Sequence, residues 1–375
     1  MNKELIQKII RCFVIALCFL GMLTAIGMRE REIQQWGFML GLMVIFGLLL
    51  RNIWLTLFLG WTVFLYAYFK FEVGLIYVTN IFFGCLLYYL VKVAFKKEHI
   101  NFFINAVLWF AFLNIIYMTL QISGYDFIYR YVAPDNSNLG QITANIVPTG
   151  FMGQRAICGA FLALCMPLLV SRTSKLAIVG ALGLFIPLYL SQASLTLWSA
   201  GIGLGFVLWY KIPKKVWFTI VVVVFSFFVF YFIRVDKPGS SRLPMWKNVL
   251  HDCVKHPVTG WGLDSFRNIT SYKDFKYKET SRPGYIAWWD NPHNLLISLL
   301  FEFGLVGLFL LGGYLRQCGI WFMRAVKSPN AIGLFGFIIV TMLVSQGHFV
   351  LFLARTCVII IPAMALFEVA VKENA

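Results

Sequence analysis

Charged residues are scarce in this sequence. Only 13% of its 375 residues are Asp, Glu, Lys or Arg, whereas 60% are hydrophobic and the mean hydropathy is +0.78. A soluble domain has about 25% charged and about 45–50% apolar residues, so this composition excludes a soluble globular protein. Apolar runs long enough to cross a bilayer recur along the chain, which indicates a polytopic membrane protein.

Cysteine pairs and clusters of acidic residues are also lacking. The eight cysteines fall mostly inside apolar runs, at spacings that fit neither a disulfide scaffold nor a zinc site. The 16 acidic residues are outnumbered by 32 basic ones, and those in the outer loops defined below are too scattered to surround a metal ion. We therefore expect no metal and no cofactor. We also expect the protein to contact membrane lipids and not to bind nucleic acid.

The apolar runs predict an all-α integral membrane protein that forms one polytopic domain over residues 1–375. A helix of about 20 apolar residues crosses the hydrocarbon core, which gives about twelve transmembrane helices. Placing both ends in the cytoplasm puts most basic residues of the short loops on the inner side, as the positive-inside rule requires. The predicted spans are 9–28, 36–50, 53–69, 73–95, 101–123, 155–171, 175–191, 194–210, 215–234, 293–315, 330–347 and 349–369.

This orientation places two longer polar segments outside, namely residues 124–150 and residues 235–292. We call residues 235–292 the large outer loop. Its segment Leu243 to His256 has apolar residues at four-residue spacing and predicts a helix that ends before Pro257. Such a helix would lie along the outer membrane interface.

Two residues at helix starts are the main candidates for chemistry. Arg242 lies at the start of the loop helix, where free backbone N–H groups also favour an anion. His293 opens a predicted span directly after Pro292, and its imidazole can exchange a proton near neutral pH. The structural alternatives are an arginine that contacts lipid phosphates and a histidine that is a satisfied polar residue.

Aromatic rings accompany the cations of the large outer loop. Trp246 and Trp261 offer flat faces that suit sugar rings, and guanidinium groups suit phosphoryl oxygens. The alternative is a belt of aromatic residues at the level of the lipid headgroups. The residues alone do not choose between these two interpretations.

The order and spacing of these residues resemble the O-antigen ligase and polymerase superfamily, which includes bacterial protein O-oligosaccharyltransferases. The resemblance is carried by SSRLPMWKNVLHDCVKHPVTGWGLDSF over residues 240–266 and by NPHNLLISLLFEFGLVGLFLL over residues 291–311. The matching positions are Arg242, Trp246, Pro257, Gly260, Gly262, Phe266, His293, Asn294, Glu302, Gly304 and Gly307.

A weaker resemblance covers residues 150–205, and it contains one departure. Leu195 stands where the family usually has an arginine, and the family's chemistry depends on arginines near the outer surface. We expect Arg155, or alternatively Arg130 in the first outer loop, to supply the missing charge.

The resemblance implies a fold of the GT-C type and a metal-independent glycosyltransferase in the bacterial inner membrane. Its donor would be a glycan on undecaprenyl diphosphate, and transfer would occur on the periplasmic face. His293 would activate the acceptor hydroxyl and Arg242 would hold the diphosphate. Arg155, Asn294, Trp246, Trp261 and Arg130 would contact or orient the substrates.

Other functions remain open at this point. A flippase for lipid-linked glycans, or another polytopic transporter, also suits twelve spans: Arg355 lies in the last predicted span, and His348 lies between the last two. A structural scaffold is a third possibility. Within the enzyme interpretation, the acceptor is another repeat unit of the polysaccharide, a lipid A core sugar or a protein hydroxyl.

Overall fold

The helical architecture is seen in a computed structural model. It describes residues 4, 7–8, 11, 53–69, 74–125, 149–152, 155–172, 175–190, 194–210, 242–263, 265–268, 277–278, 286–287, 292–325, 328–346 and 354–372.

Eleven helices and one short strand pair make up the described part of the chain. In chain order they are α1 (Ile53–Phe69), α2 (Gly74–Ala94), α3 (Lys97–Ile122), a 3-10 turn (Gly150–Met152), α4 (Arg155–Ser171), α5 (Lys175–Leu190), α6 (Ser194–Trp209), α7 (Arg242–Cys253), α8 (Ser265–Asn268), β1 (Tyr277–Lys278), β2 (Ile286–Ala287), α9 (Leu295–Ala325), α10 (Pro329–Val344) and α11 (Ala354–Lys372).

The helices follow the predicted spans closely. Nine of the predicted spans fall on helices of the described ranges, and α1 and α4 have the predicted bounds. Of these helices, Lys97–Ile122 and Leu295–Arg324 are long and apolar enough to cross a membrane by length and composition, and several shorter apolar helices accompany them. Spans 36–50 and 215–234, and 9–28 apart from Arg11, lie outside the described residues, so the number twelve stays a prediction.

The exception to the all-α prediction lies in the large outer loop. Tyr277 pairs with Ala287 and Lys278 with Ile286 in an antiparallel ladder. The pair is only two residues long on each side, so the fold class remains all-helical, as expected of a membrane protein of this composition.

Helix α3 is inside out relative to a helix of a soluble protein. Its exposed side carries Trp109 at 63% and Phe112 at 51% exposure, whereas Asn114 is 0% exposed and Gln121 is 9% exposed. Water would favour the opposite arrangement, whereas lipid accepts apolar side chains and requires polar groups to be satisfied inside the protein. This distribution supports a helix surrounded by lipid on one side.

The core lies around α4, which packs against α5, α6 and α10. Close approach depends on glycines: a Cβ at Gly203 of α6 would collide with Val340 of α10. A Cβ at Gly333 or Gly336 of α10 would collide with Ser171 or Pro167 of α4. Helices in membranes commonly associate through such small-residue contacts. A second pair, α2 and α11, closes the other side of the same core.

Helix α9 is interrupted at Gly304, where φ is 67° and ψ is −166°. We call this feature the Gly304 break, and we call residues 257–262 of the large outer loop the 257–262 turn. The two features bind each other through their backbones, and Trp61 of α1 adds a bond from its indole nitrogen. The bonds run from Trp261 N to Phe301 O (2.7 Å), from Gly262 N to Glu302 O (3.2 Å), from Leu305 N to Pro257 O (2.8 Å) and from Trp61 Nε1 to Phe303 O (3.0 Å).

Glycine is required on both sides of this contact. Gly304 and Gly260 both have positive φ, and each would place a Cβ against the backbone of the other segment. A side chain at either position would therefore separate the two backbones in addition to straining its own residue. The contact explains two of the glycines in the family-like pattern as structural residues.

We predict that Gly304→Ala lowers the free energy of unfolding by about 1–3 kcal/mol, because alanine would occupy a left-handed conformation and meet the carbonyl of Val258. Thermal unfolding in detergent measures this change. The control is Gly312→Ala on the same helix, because a Cβ there would meet nothing within 4 Å. This control should raise the free energy of unfolding by up to about 1 kcal/mol. Equal melting temperatures for the two variants would contradict the proposed contact.

Candidate functional site

Helix α7 is packed against α9 through one apolar side. Met245, Val249 and Cys253 are buried together with Phe266 and Phe301. The helix covers Arg242–Cys253 instead of the predicted Leu243 to His256, because its last predicted residues already belong to turns that lead into the 257–262 turn. Its buried side therefore faces protein.

His293 adopts a left-handed backbone conformation, with φ of 50°. It is the non-glycine residue with positive φ in the described part of the chain, and such a conformation costs free energy and persists only where the surrounding structure imposes it. The imidazole is partly buried. A strained residue at the start of a helix is a frequent property of functional sites.

The residues that follow His293 are held by α10. Asn294 caps α9, since its Oδ1 accepts a bond from the Ile297 amide (3.1 Å), and its Nδ2 donates to the Gln346 carbonyl (3.3 Å). The Leu295 amide donates to the Ser345 carbonyl (2.8 Å). The start of α9 is thereby joined to the end of α10.

The residue before His293 is held by α7. Trp246 donates a hydrogen bond from Nε1 to the Pro292 carbonyl over 2.7 Å. Arg242 precedes Trp246 by four residues, which is about one helical turn or about 6 Å along the axis. The structure therefore brings the start of α7, with Arg242, and the turn that carries His293 to the same end of α9.

Trp261 is engaged within the protein at several of its edges. Its Nε1 donates to the Asp252 carbonyl over 3.0 Å, and its ring packs against Phe301 and against His256, whose centroid is 4.2 Å away. Both predicted sugar-binding tryptophans thus use their N–H groups internally. Both side chains are partly buried.

The other titratable groups of α7 give little sign of catalysis. Burial, with the Asp252 carboxylate as a smaller cause, raises the pKa of the Cys253 thiol to about 11, so the thiol is protonated and a poor nucleophile. Asp252 pairs with Lys255 at 2.6 Å on the surface. Among the described residues, no group of three or more His, Cys, Asp or Glu residues could hold a metal ion.

The other predicted site residues are described only in part. Arg155 is the first residue of α4, so it lies at a helix start as predicted, and Leu195 lies in the first turn of α6, partly buried. Arg130 lies outside the described residues. Glu302 is buried at 2% exposure beside the Gly304 break.

Several residues that shape this region were not predicted from sequence. Ser345 and Gln346 contribute only their backbone carbonyls, which no side-chain pattern reveals. Asn114 and Gln121 hold the 3-10 turn before Arg155. A buried amide within an apolar run is an available signal for these two residues, because polar groups inside a membrane span are costly and usually have a specific partner.

We predict that Trp246→Phe releases the turn around His293. The variant keeps an aromatic ring but loses the bond to Pro292, which is worth about 1 kcal/mol and corresponds to about fivefold faster amide exchange at residues 293–296. Hydrogen exchange with mass spectrometry in detergent measures this rate.

The matched control is Trp61→Phe, which removes a bond to Phe303 on the same helix. It should accelerate exchange around residues 303–307 and leave residues 293–296 unchanged. Unchanged exchange at residues 293–296 in Trp246→Phe would show that the bond does not hold this turn.

Comparison with known proteins provides an independent test of the family resemblance. The family model described as O-antigen ligase matches residues 157–312, which run from the first turn of α4 into α9 and include α7, the 257–262 turn and His293. No curated protein matches the chain. The match over residues 157–312 confirms, for that part of the chain, the resemblance to the O-antigen ligase and polymerase superfamily.

Proposed function

We propose that this protein transfers a glycan from undecaprenyl diphosphate to an acceptor hydroxyl. The reaction would take place on the outer face of the bacterial inner membrane, with His293 and Arg242 as catalytic residues. The match to the O-antigen ligase family model over residues 157–312 supports a glycosyltransferase or ligase type of enzyme that acts on lipid-linked glycans. The donor, the reaction and the site residues are our proposal.

The observation that carries the proposal is the hydrogen bond from Trp246 to Pro292. It joins the helix that begins with Arg242 to the residue that precedes His293. A cation and a proton acceptor are the two groups that this transfer needs, and the bond brings the segments that carry them together. The left-handed backbone at His293 further supports a site whose geometry is imposed by its surroundings.

The reaction would be a displacement at the anomeric carbon. The acceptor oxygen forms a bond to that carbon while the bond from carbon to the diphosphate oxygen breaks, and the electron pair leaves with the diphosphate. His293 takes the proton of the acceptor hydroxyl. Assistance of this kind contributes about 10²- to 10⁴-fold in rate.

Negative charge grows on the departing diphosphate, so fixed cations lower the barrier. Arg242 is suited to this role because a guanidinium binds phosphoryl oxygens in bidentate fashion, and because it lies at the positive end of α7. We assign a supporting role to Arg155 at the start of α4, with Arg130 as the alternative source of this charge.

Asn294, Trp246 and Trp261 would act mainly by positioning. Both polar atoms of the Asn294 amide already bond within the protein, and the indole nitrogens bond to backbone carbonyls. The rings of Trp246 and Trp261 remain as surfaces on which a sugar could stack. These residues would set the position of His293 and of α7.

A transporter is the alternative function. Transporters place polar groups near the bilayer midplane on broken helices. Two carboxylates are buried within the described residues, Glu302 and Glu368. Glu302 lies beside the Gly304 break, whose backbone atoms are bound by the 257–262 turn of the large outer loop. Glu368 lies one turn from the end of α11 and is paired with Lys92 at 2.7 Å and Lys372 at 2.5 Å. Contacts with an outer loop and with helix ends suit structural roles more than a substrate pathway, so we favour the enzyme.

The acceptor remains open among a growing polysaccharide, a lipid A core sugar and a protein hydroxyl. Reconstitution distinguishes them. The purified protein in liposomes would receive a glycan on undecaprenyl diphosphate together with one acceptor at a time. Formation of a linked product with release of undecaprenyl diphosphate supports the proposal, and movement of the intact donor across the bilayer without a product would favour the transporter.

We predict that His293→Asn lowers the transfer rate about 10²- to 10⁴-fold. Asparagine tolerates the left-handed conformation better than other non-glycine residues do, so the variant removes the base without adding backbone strain. The control is His251→Ala on α7, since the His251 side chain is 79% exposed. A His293→Asn enzyme as active as His251→Ala would exclude His293 as the base.

We predict that Arg242→Ala lowers the transfer rate by about 10²-fold or more, whereas Arg242→Lys retains part of the activity as a point charge. The control is Lys247→Ala, because Lys247 is an exposed cation of the same helix. Increasing the salt concentration should change the transfer rate of the Lys247→Ala control only weakly. Equal activities for Arg242→Ala and Lys247→Ala would limit Arg242 to a general surface role.

A further inference from the structure

Three consecutive backbone N–H groups precede Arg155, and side chains of α3 accept bonds from all of them. Gln121 Oε1 accepts from the Thr149 amide at 3.0 Å and from the Gly150 amide at 2.8 Å. Asn114 Oδ1 accepts from the Phe151 amide at 2.8 Å. Gln121 also donates from Nε2 to the Thr149 hydroxyl at 3.2 Å.

The side chains that make these contacts lie on one side of α3. Asn114, Tyr117 and Gln121 follow each other at spacings of three and four residues, and all are buried. Tyr117 stacks on Phe151 with ring centroids 4.6 Å apart and planes 14° apart. These three side chains of α3 therefore contact both the backbone of the turn and the ring of Phe151.

The turn can take this position only with glycine at residue 150. Gly150 has φ of 56°, and a Cβ there would collide with the Asn114 amide. The amide also reaches α4, because Asn114 Nδ2 donates to the Cys158 sulfur at 3.2 Å. The turn and the first turn of α4 are therefore fixed to the same residue of α3.

Buried amides are expensive inside a membrane protein, and apolar packing alone could have joined α3 to α4. Their contacts converge on the three residues of the segment that leads directly to Arg155, the first residue of α4. We propose that Gln121 and Asn114 are positioning residues that set the place of Arg155 for the transfer reaction. This inference rests on the proposed function.

Gln121 would act through Arg155 and not on the substrate itself. A displacement of the turn moves the start of α4, and a misplacement of a charged group by about 1 Å can reduce a rate by about 10²-fold. The loss should appear in the rate at saturating donor and acceptor, since the groups that bind the glycan are elsewhere. A purely structural role would instead lower the melting temperature with an unchanged rate per folded molecule.

The test uses the full-length protein in liposomes and compares three variants of α3. Gln121→Met keeps the length of the side chain but loses its polar atoms, and it should reduce the transfer rate roughly 10- to 100-fold. Gln121→Glu keeps an acceptor for the Thr149 and Gly150 amides and should recover most of that loss. Thr119→Val is the control on the exposed side of the same helix, where the Thr119 hydroxyl donates to the Ile115 carbonyl of its own helix, and it should be as active as the unaltered protein.

The decisive measurement combines Gln121→Met with Arg155→Ala. If Gln121 acts through Arg155, the double variant should be about as slow as Arg155→Ala alone, because interacting residues are not additive. Multiplied losses, or a Gln121→Met enzyme as active as Thr119→Val, would overturn the inference while leaving the proposed function intact. An Arg155→Ala enzyme without any loss would overturn both this inference and the role of Arg155, whereas the His293 variants would still test the reaction.

Discussion

The contact between the Gly304 break and the 257–262 turn is the constraint on which the site depends. A helix within a membrane cannot be interrupted unless other groups satisfy the backbone atoms that the interruption releases. Here the turn of the large outer loop supplies those partners. At this point the loop is therefore packed as part of the membrane domain. Helix α7 directly precedes the turn, so its position against α9 is fixed as well.

A second set of hydrogen bonds fixes the backbone on both sides of His293. Trp246 holds the residue before it, and the end of α10 holds the two residues after it. The backbone on both sides of His293 is therefore bonded, to α7 before it and to the end of α10 after it. These bonds hold the residue in a left-handed conformation that is uncommon for non-glycine residues. Preorganisation of this kind suits catalysis, because the site need not be rearranged during the reaction.

Sequence alone was sufficient where the physical signal is local. The bounds of α1 and α4 follow from the lengths of their apolar runs. The four-residue spacing predicted one apolar side for α7, formed by Met245, Val249 and Cys253, but this side packs against α9 instead of the expected membrane interface. The Gly304 break was not foreseen, because a glycine within an apolar run gives no sign of its φ angle. The partners of the indole N–H groups were not predicted either. Trp246 donates to a carbonyl 46 residues away, and Trp261 reaches Asp252 only because of the turn between them. The sequence pattern could suggest only that the two indole rings offer flat faces.

A structure with bound undecaprenyl diphosphate would test the central claim most directly. The account predicts diphosphate density at the outer end of α9, with phosphoryl oxygens within hydrogen-bond distance of the Arg242 guanidinium and with the His293 imidazole facing the side that an acceptor approaches. Diphosphate bound near the bilayer midplane, or at an outer surface remote from both α7 and His293, would contradict it.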